Sequence, residues 1–281
     1  MTYAARFAER ALTPYTIVRS IAADAQNLVV TPESFPDFAA GAYNFLLQIE
    51  TGVNVYSNSA APALTIQGFR ATDTVTFVNK GKVLGVGGAS EGAGGLALSL
   101  SLSLNQPLTI DNTLGVIAGG GGGGGVGGTG RITEGPFISF PSPAHFYYYE
   151  PPLPQTTVQW ADVVVYNNTV ALTTVFVAPW TYVQGALSSG SYYAVSRRQD
   201  GAGGIGGQGR GIAAAMAGSA GAIAGAGAGG SGGGWGAAGV TGVAGNLGGS
   251  TAGGAAGAAA QRNGNTITWQ GGIVNVFGAI L

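Results

Sequence analysis

Between Gly201 and Gly257 glycine recurs at a spacing of three, most cleanly at Gly236, Gly239, Gly242, Gly245, Gly248, Gly254 and Gly257, and no proline interrupts the stretch. That phase constrains the fold more than any other feature of the chain. It is neither the 3.6-residue period of an α-helix nor the two-residue period of a strand. It fits a left-handed extended helix with three residues per turn and a rise of roughly 3.1 Å per residue. Glycine then lines one edge of the helix, and the missing side chains let the backbone of one segment hydrogen-bond the backbone of the next. The spacing predicts a bundle.

Collagen shares the spacing but needs proline, and all 12 prolines here fall at or before Pro179. A flexible linker would mix glycine with serine and charge, whereas Ile205, Ile212, Met216, Ile223, Trp235, Val240, Val243 and Leu247 stand among these glycines and read as side chains meant for burial. With 53 glycines in 281 residues, ordering the chain is entropically expensive, so a dense inter-segment hydrogen-bond lattice is required. Cysteine is absent, which excludes disulfides and thiolate metal sites. A net charge of −1 with no basic cluster leaves nothing to neutralise phosphates, so nucleic acid is not an expected partner. Residues 211–234 are uncharged and long enough to suggest a membrane span, but alanine and glycine are weakly hydrophobic, and an integral membrane protein is not expected. Glu9 and Arg10 interrupt the opening residues, so no secretory signal is expected either.

Residues 3–12 predict a short amphipathic helix closed by Pro14, a segment for attachment or packing. Tyr15 to Asn79 turns to extended segments rich in β-branched and aromatic residues, including 15–18, 27–30, 45–49 and 74–78. An internal repeat follows. Thr76-Phe77-Val78-Asn79 with Gly81, Val83 and Gly85 aligns, after a one-residue insertion, with Thr109-Ile110-Asp111-Asn112 and Gly115, Ile117 and Gly119. Each copy is a strand, then an Asn suited to a turn, then a glycine run. Between the runs, residues 96–104 alternate leucine with alanine or serine, as in a half-buried strand with one leucine face. Residues 136–154 are rich in proline and aromatics and predict an ordered surface loop. Residues 162–177 predict a hairpin about Asn167-Asn168, and 266–269 and 273–277 predict closing strands.

Residues 108–118, Leu-Thr-Ile-Asp-Asn-Thr-Leu-Gly-Val-Ile-Ala, run into the seven glycines of 119–125, and this passage resembles the receptor-recognising tail-fibre adhesins of T-even-type phages. The resemblance covers mainly Thr74 to Arg131 and, by composition, Gly201 to Gly257. It implies a mainly β fold with very little α-helix, carrying a bundle of polyglycine-II helices whose tips hold aromatic loops. Those loops would touch a bacterial outer-surface receptor (protein, pilus or glycan). The chain would sit on the virion, at a tail fibre or tail tip, and its N-terminal region would dock on other tail-fibre or baseplate proteins. A homotrimer is compatible with the uncharged faces. The chain departs from the family in a long insert, 136–198. On this reading it divides into 1–14 for attachment, 15–80 as a β-rich domain, 81–135 as first glycine-rich segments with an intervening strand, 136–200 as an aromatic β insert, 201–260 as the second glycine region, and 261–281 as closing strands.

Little in the sequence suggests catalysis. G-x-G-x-x-G patterns are plentiful, but any polyglycine contains them, and without a following helix and acidic residue they bind no dinucleotide. His145 is the sole histidine and has no cysteine or second histidine to share a metal or assist a nucleophile. Beyond Asp200 there is no Asp, Glu, Lys or His for acid–base work. Carboxylate pairs of the kind a glycan-cleaving enzyme would need occur upstream, for example Glu134 with Glu150 across the aromatic loop. The reading is of a non-enzyme without a cofactor. Binding is the better fit, because tyrosine and tryptophan give large, stiff, amphipathic contact area. The candidates for receptor contact are Tyr147, Tyr148, Tyr149, Trp180, Tyr182, Tyr192, Tyr193 and Trp235. The alternative is a structural glycine-rich surface, wall or virion protein with no receptor-binding role.

Overall fold

The computed structural model describes residues 15–36, 38, 43–101, 107–141, 145–147, 164–166, 174–177, 180–188 and 192–281. The helix expected at 3–12 lies outside them. The described residues are mainly β, and the sole helical element among them is a 3-10 turn at Pro32–Ser34.

The β-branched segments near the N-terminus build a three-sided parallel coil. The first turn of it is β1 (Tyr15–Ile21), β2 (Ala25–Gln26) and β3 (Leu28–Val30), and the second is β4 (Tyr43–Ile49), β5 (Asn54–Tyr56) and β6 (Leu64–Gln67). The third uses β7 (Thr74–Asn79), β8 (Lys82–Leu84) and β9 (Leu98–Ser101); the fourth uses β10 (Pro107–Asp111), β11 (Val116–Ala118) and, far along the chain, β18 (Ala260–Gln261). The closing strands β19 (Thr266–Gln270) and β20 (Val276–Phe277) start a fifth. Like faces stack into three parallel sheets, β1-β4-β7-β10-β19, β2-β5-β8-β11-β20 and β3-β6-β9-β18. The alternation of apolar and polar residues turns one side of every strand inward, so Ile17, Phe45, Val75 and Leu108 lie in register, as do Leu64 and Leu98. All of these are buried. Leu98 and Leu100 carry the leucine face expected of 96–104 into this core.

The internal repeat is one turn of the coil. Thr76, Phe77 and Val78 pair with Thr109, Ile110 and Asp111, and Val83 pairs with Ile117. The repeated asparagines meet at one corner. Asn79 Nδ2 donates to Asn112 Oδ1 at 2.7 Å, across 33 residues of sequence, and Asn112 Nδ2 donates to Asn275 O at 3.3 Å. Both amides are buried, and the ladder satisfies polar groups that water cannot reach. Gly115 allows it: a Cβ there would lie 2.4 Å from Asn79 Nδ2.

The glycine segments leave this coil between its second and third faces and join in one hydrogen-bonded array. Its centre is segment 119–129, and three successive residues of it serve three different neighbours. Gly120 and Gly123 donate to Gly95 and Gly92; Gly121, Gly124 and Gly127 donate to Arg210, Gly207 and Gly204; Gly122, Gly125 and Gly128 donate to Ala237, Val240 and Val243. The same central segment accepts from three others, through Gly88 and Glu91, through Gly227, Gly230 and Gly233, and through Thr251, Gly254 and Gly257. Donor and acceptor neighbours alternate around it, and each of the six also bonds the next in the ring, as Gly209 N does Gly88 O, Val240 N does Ser231 O and Gly94 N does Ala255 O. Segment 213–222 lies outside the ring, bonded through Met216 and Ser219. Gly119 to Gly125 are all buried, since the central segment is covered on every edge.

An outer segment offers only one edge to the centre. Its other residues face water, and the expectation that the apolar side chains of the glycine region are buried fails for that reason: Ile205, Ile212, Met216, Val240, Val243 and Leu247 are exposed, Ile205 by 66% and Val243 by 59%. Backbone hydrogen bonds, more than apolar burial, hold this part together.

Candidate functional site

The chain leaves the central segment at Gly130 and returns to the array at Gly201, having formed a separate antiparallel sheet. Its strands are β12 (Gly130–Pro141), β15 (Thr174–Val177), β16 (Trp180–Ser188) and β17 (Tyr192–Gly201), in the order β12-β17-β16-β15. A two-stranded ladder joins β13 (His145–Tyr147) to β14 (Val164–Tyr166). One expectation changes here. Part of 136–154 is strand and not loop, with Pro136 tolerated where the register of β12 on β17 shifts between Glu134 and Ile138, a bulge that needs no ladder N–H. The turn of the hairpin expected over 162–177 lies outside the described residues, and the described strands at its two ends pair elsewhere, β14 with β13 and β15 with β16. A local turn signal cannot announce a pairing with a strand elsewhere.

The root of the insert is fixed by three side chains. Arg131 forks onto Asp200, Nε to Oδ1 at 2.5 Å and Nη2 to Oδ2 at 2.8 Å, opposite each other in the Gly130–Gly201 ladder. The hydrogen bond it donates to Asp200 raises the Arg131 pKa above its ordinary value. Asn246, in the turn after segment 237–245, brackets the same backbone: its Oδ1 accepts from Arg131 N at 2.6 Å and its Nδ2 donates to Arg131 O at 2.7 Å. None of the three was singled out from sequence, although Asn246 sits in a Gly-Asn-Leu-Gly turn signature.

Four of the eight candidate residues stand in the larger sheet of the insert. Trp180 is in register with Val177, Tyr182 with Val175 and Arg197, Tyr192 with Pro141 and Ser188, and Tyr193 with Phe140 and Leu187. Tyr147 closes β13 opposite Val164, while Tyr148 and Tyr149 lie outside the described residues.

Trp235 is elsewhere. Gly236 N donates to Gly119 O, so Trp235 lies where the array meets the coil, at the opposite end of the central segment from Gly130. The indole is half-buried, its Nε1 donates to Gly211 O at 2.8 Å, and Phe277 of β20 packs beside it with ring centroids 6.1 Å apart. The Arg210 guanidinium stacks 3.9 Å from the ring centroid, and Lys82 Nζ of β8 is 5.9 Å away. The structure therefore separates the candidates into an insert group and a junction residue.

Residues 16–139 match the family model of the phage tail fibre adhesin Gp38, from β1 through the coil and the central glycine segment into β12. No curated protein and no solved structure matches the chain. The match spans a little under half of the chain. It supports a phage tail-fibre adhesin, which implies a virion tail-fibre location and attachment to a host surface receptor.

Proposed function

We propose that this chain is a non-enzymatic receptor-binding adhesin of the T-even type, whose aromatic insert contacts the bacterial surface and whose glycine segments are a polyglycine-II scaffold. The three-way alternation of bonds along 119–129 supports the scaffold, because only a helix of three residues per turn presents successive residues to three neighbours in strict rotation. The observation that carries the functional reading is the placement of the insert: it departs and returns at the end of the array remote from the coil, bolted there by Asn246 and the Arg131–Asp200 pair. A rigid base under aromatic residues lowers the entropic cost of binding. Tyr147, Tyr148, Tyr149, Trp180, Tyr182, Tyr192 and Tyr193 would make the contacts, with residues 1–14 joining the chain to the fibre.

Adsorption of the purified protein to susceptible cells tests this. Tyr148→Ala is expected to leave the melting temperature unchanged and to weaken cell binding by roughly tenfold or more, the scale of an aromatic anchor at an interface. Unaltered cell binding in Tyr148→Ala and in a Tyr147/Tyr149 double alanine variant would defeat the assignment of this segment.

A further inference from the structure

We propose that Lys82, Arg210 and Trp235 form a second binding site, at the junction of coil and array, for an anionic saccharide bearing a phosphate or a carboxylate. Two cations flank one indole there, and among the described residues neither has a carboxylate partner. Stacking on an aromatic face leaves the in-plane N–H groups of a guanidinium free to donate, which is the fork that reads phosphate and carboxylate oxygens. Lys82 is exposed and adds a second point charge beside the same ring. No acidic residue follows Asp200, so the array segments of 201–257 add no negative charge to this positive field.

The cluster is also held in place. Arg210 donates its N–H to Gly233 O at 2.9 Å and accepts at its carbonyl from Gly121 N at 2.8 Å; Trp235 is tied through Nε1; Lys82 belongs to a strand paired on both sides. Preorganised donors lose little freedom on binding. Phe277, 39% exposed, adds an apolar surface next to the charges. An aromatic surface with two cations that have no carboxylate partner among the described residues suits a sugar ring carrying one negative group better than it suits a bare ion. The inference rests on the adhesin reading only for where such a sugar would be met, on the bacterial surface.

The test is calorimetric titration of the full chain, at low ionic strength, with glucose 6-phosphate, galacturonate, galactose and inorganic phosphate in separate runs. At least one anionic sugar is expected to bind and galactose is not, and Lys82→Gln and Arg210→Gln should each weaken that binding about tenfold, the scale of one charge-assisted hydrogen bond. The two anionic sugars separate the phosphate source from the carboxylate source. The site is refuted if neither binds, if neither substitution weakens binding, or if inorganic phosphate binds as tightly as the sugar. Should Arg210→Gln melt early, Lys82→Gln decides alone. Cell adsorption of the Tyr148 variant reads the insert independently, so failure here is distinguishable from failure of the adhesin reading.

Discussion

Gly239 tests the physical basis of the array most sharply. A Cβ at this position would lie 1.9 Å from Gly123 O, where real side chains keep at least 3.0 Å from their neighbours. Gly239→Ala therefore forces segment 237–245 away from the central segment by more than about 1 Å. The bonds on either side, Gly122 N to Ala237 O and Gly125 N to Val240 O, are both 2.9 Å and would stretch beyond hydrogen-bonding range. Each leaves a buried glycine N–H unpaired, at about 1–3 kcal/mol apiece, so the expected loss is roughly 2–6 kcal/mol, set against a total stability of order 5–15 kcal/mol. Alanine also restricts the unfolded chain, which returns under about 1 kcal/mol. Circular dichroism melting should show Tm falling by on the order of 10 °C for Gly239→Ala, and Gly239→Val should not fold. The control is Ala238→Val, one residue away on an exposed edge; its Tm should stay within about 2 °C of the parent. Equal melting temperatures for Gly239→Ala and Ala238→Val would refute the close-approach argument.

Two further outcomes are expected. Asn112→Ala removes the acceptor of Asn79 Nδ2 and the donor to Asn275 O in a buried corner, so urea denaturation should report a loss of about 1–3 kcal/mol; no change in midpoint would mean the ladder is incidental. Asp111 accepts from Thr113 Oγ1 at 2.7 Å and from Thr113 N at 3.1 Å, bonds that hold its carboxyl below the ordinary aspartate range. A folded pKa depressed below the unfolded one contributes stability that is present above about pH 4 and is lost as pH falls through the lower folded value; in Thr113→Val the melting temperature should therefore drop less between pH 5 and pH 2 than in the parent, and parallel curves would contradict the linkage.

The sequence by itself determined the local rules. A glycine at every third position marks the edge of a segment that must approach another backbone, which is why Gly239, Gly242 and Gly245 each face a carbonyl of the central segment. The repeated Asn and Gly of 79–85 and 112–119 mark one turn of the coil, and alternating leucines mark its inner face, because these patterns follow from periodicities of the backbone itself. The long-range partners were decided only by the tertiary structure. That the unbroken glycines of 119–125 are the centre follows from having six neighbours, whose sequences lie as much as 137 residues away, as Gly257 does from the Gly120 carbonyl to which it donates. Val126 is permitted because the turn at Ala89–Gly92 ends that side of the ring, and its N–H goes to Thr251 Oγ1 at 2.7 Å instead. The exposed valines and isoleucines, the pairing of β13 with β14, and the station of Trp235 at the junction were illegible for one reason: a period says which edge a residue occupies, and only the packing says what lies beyond that edge.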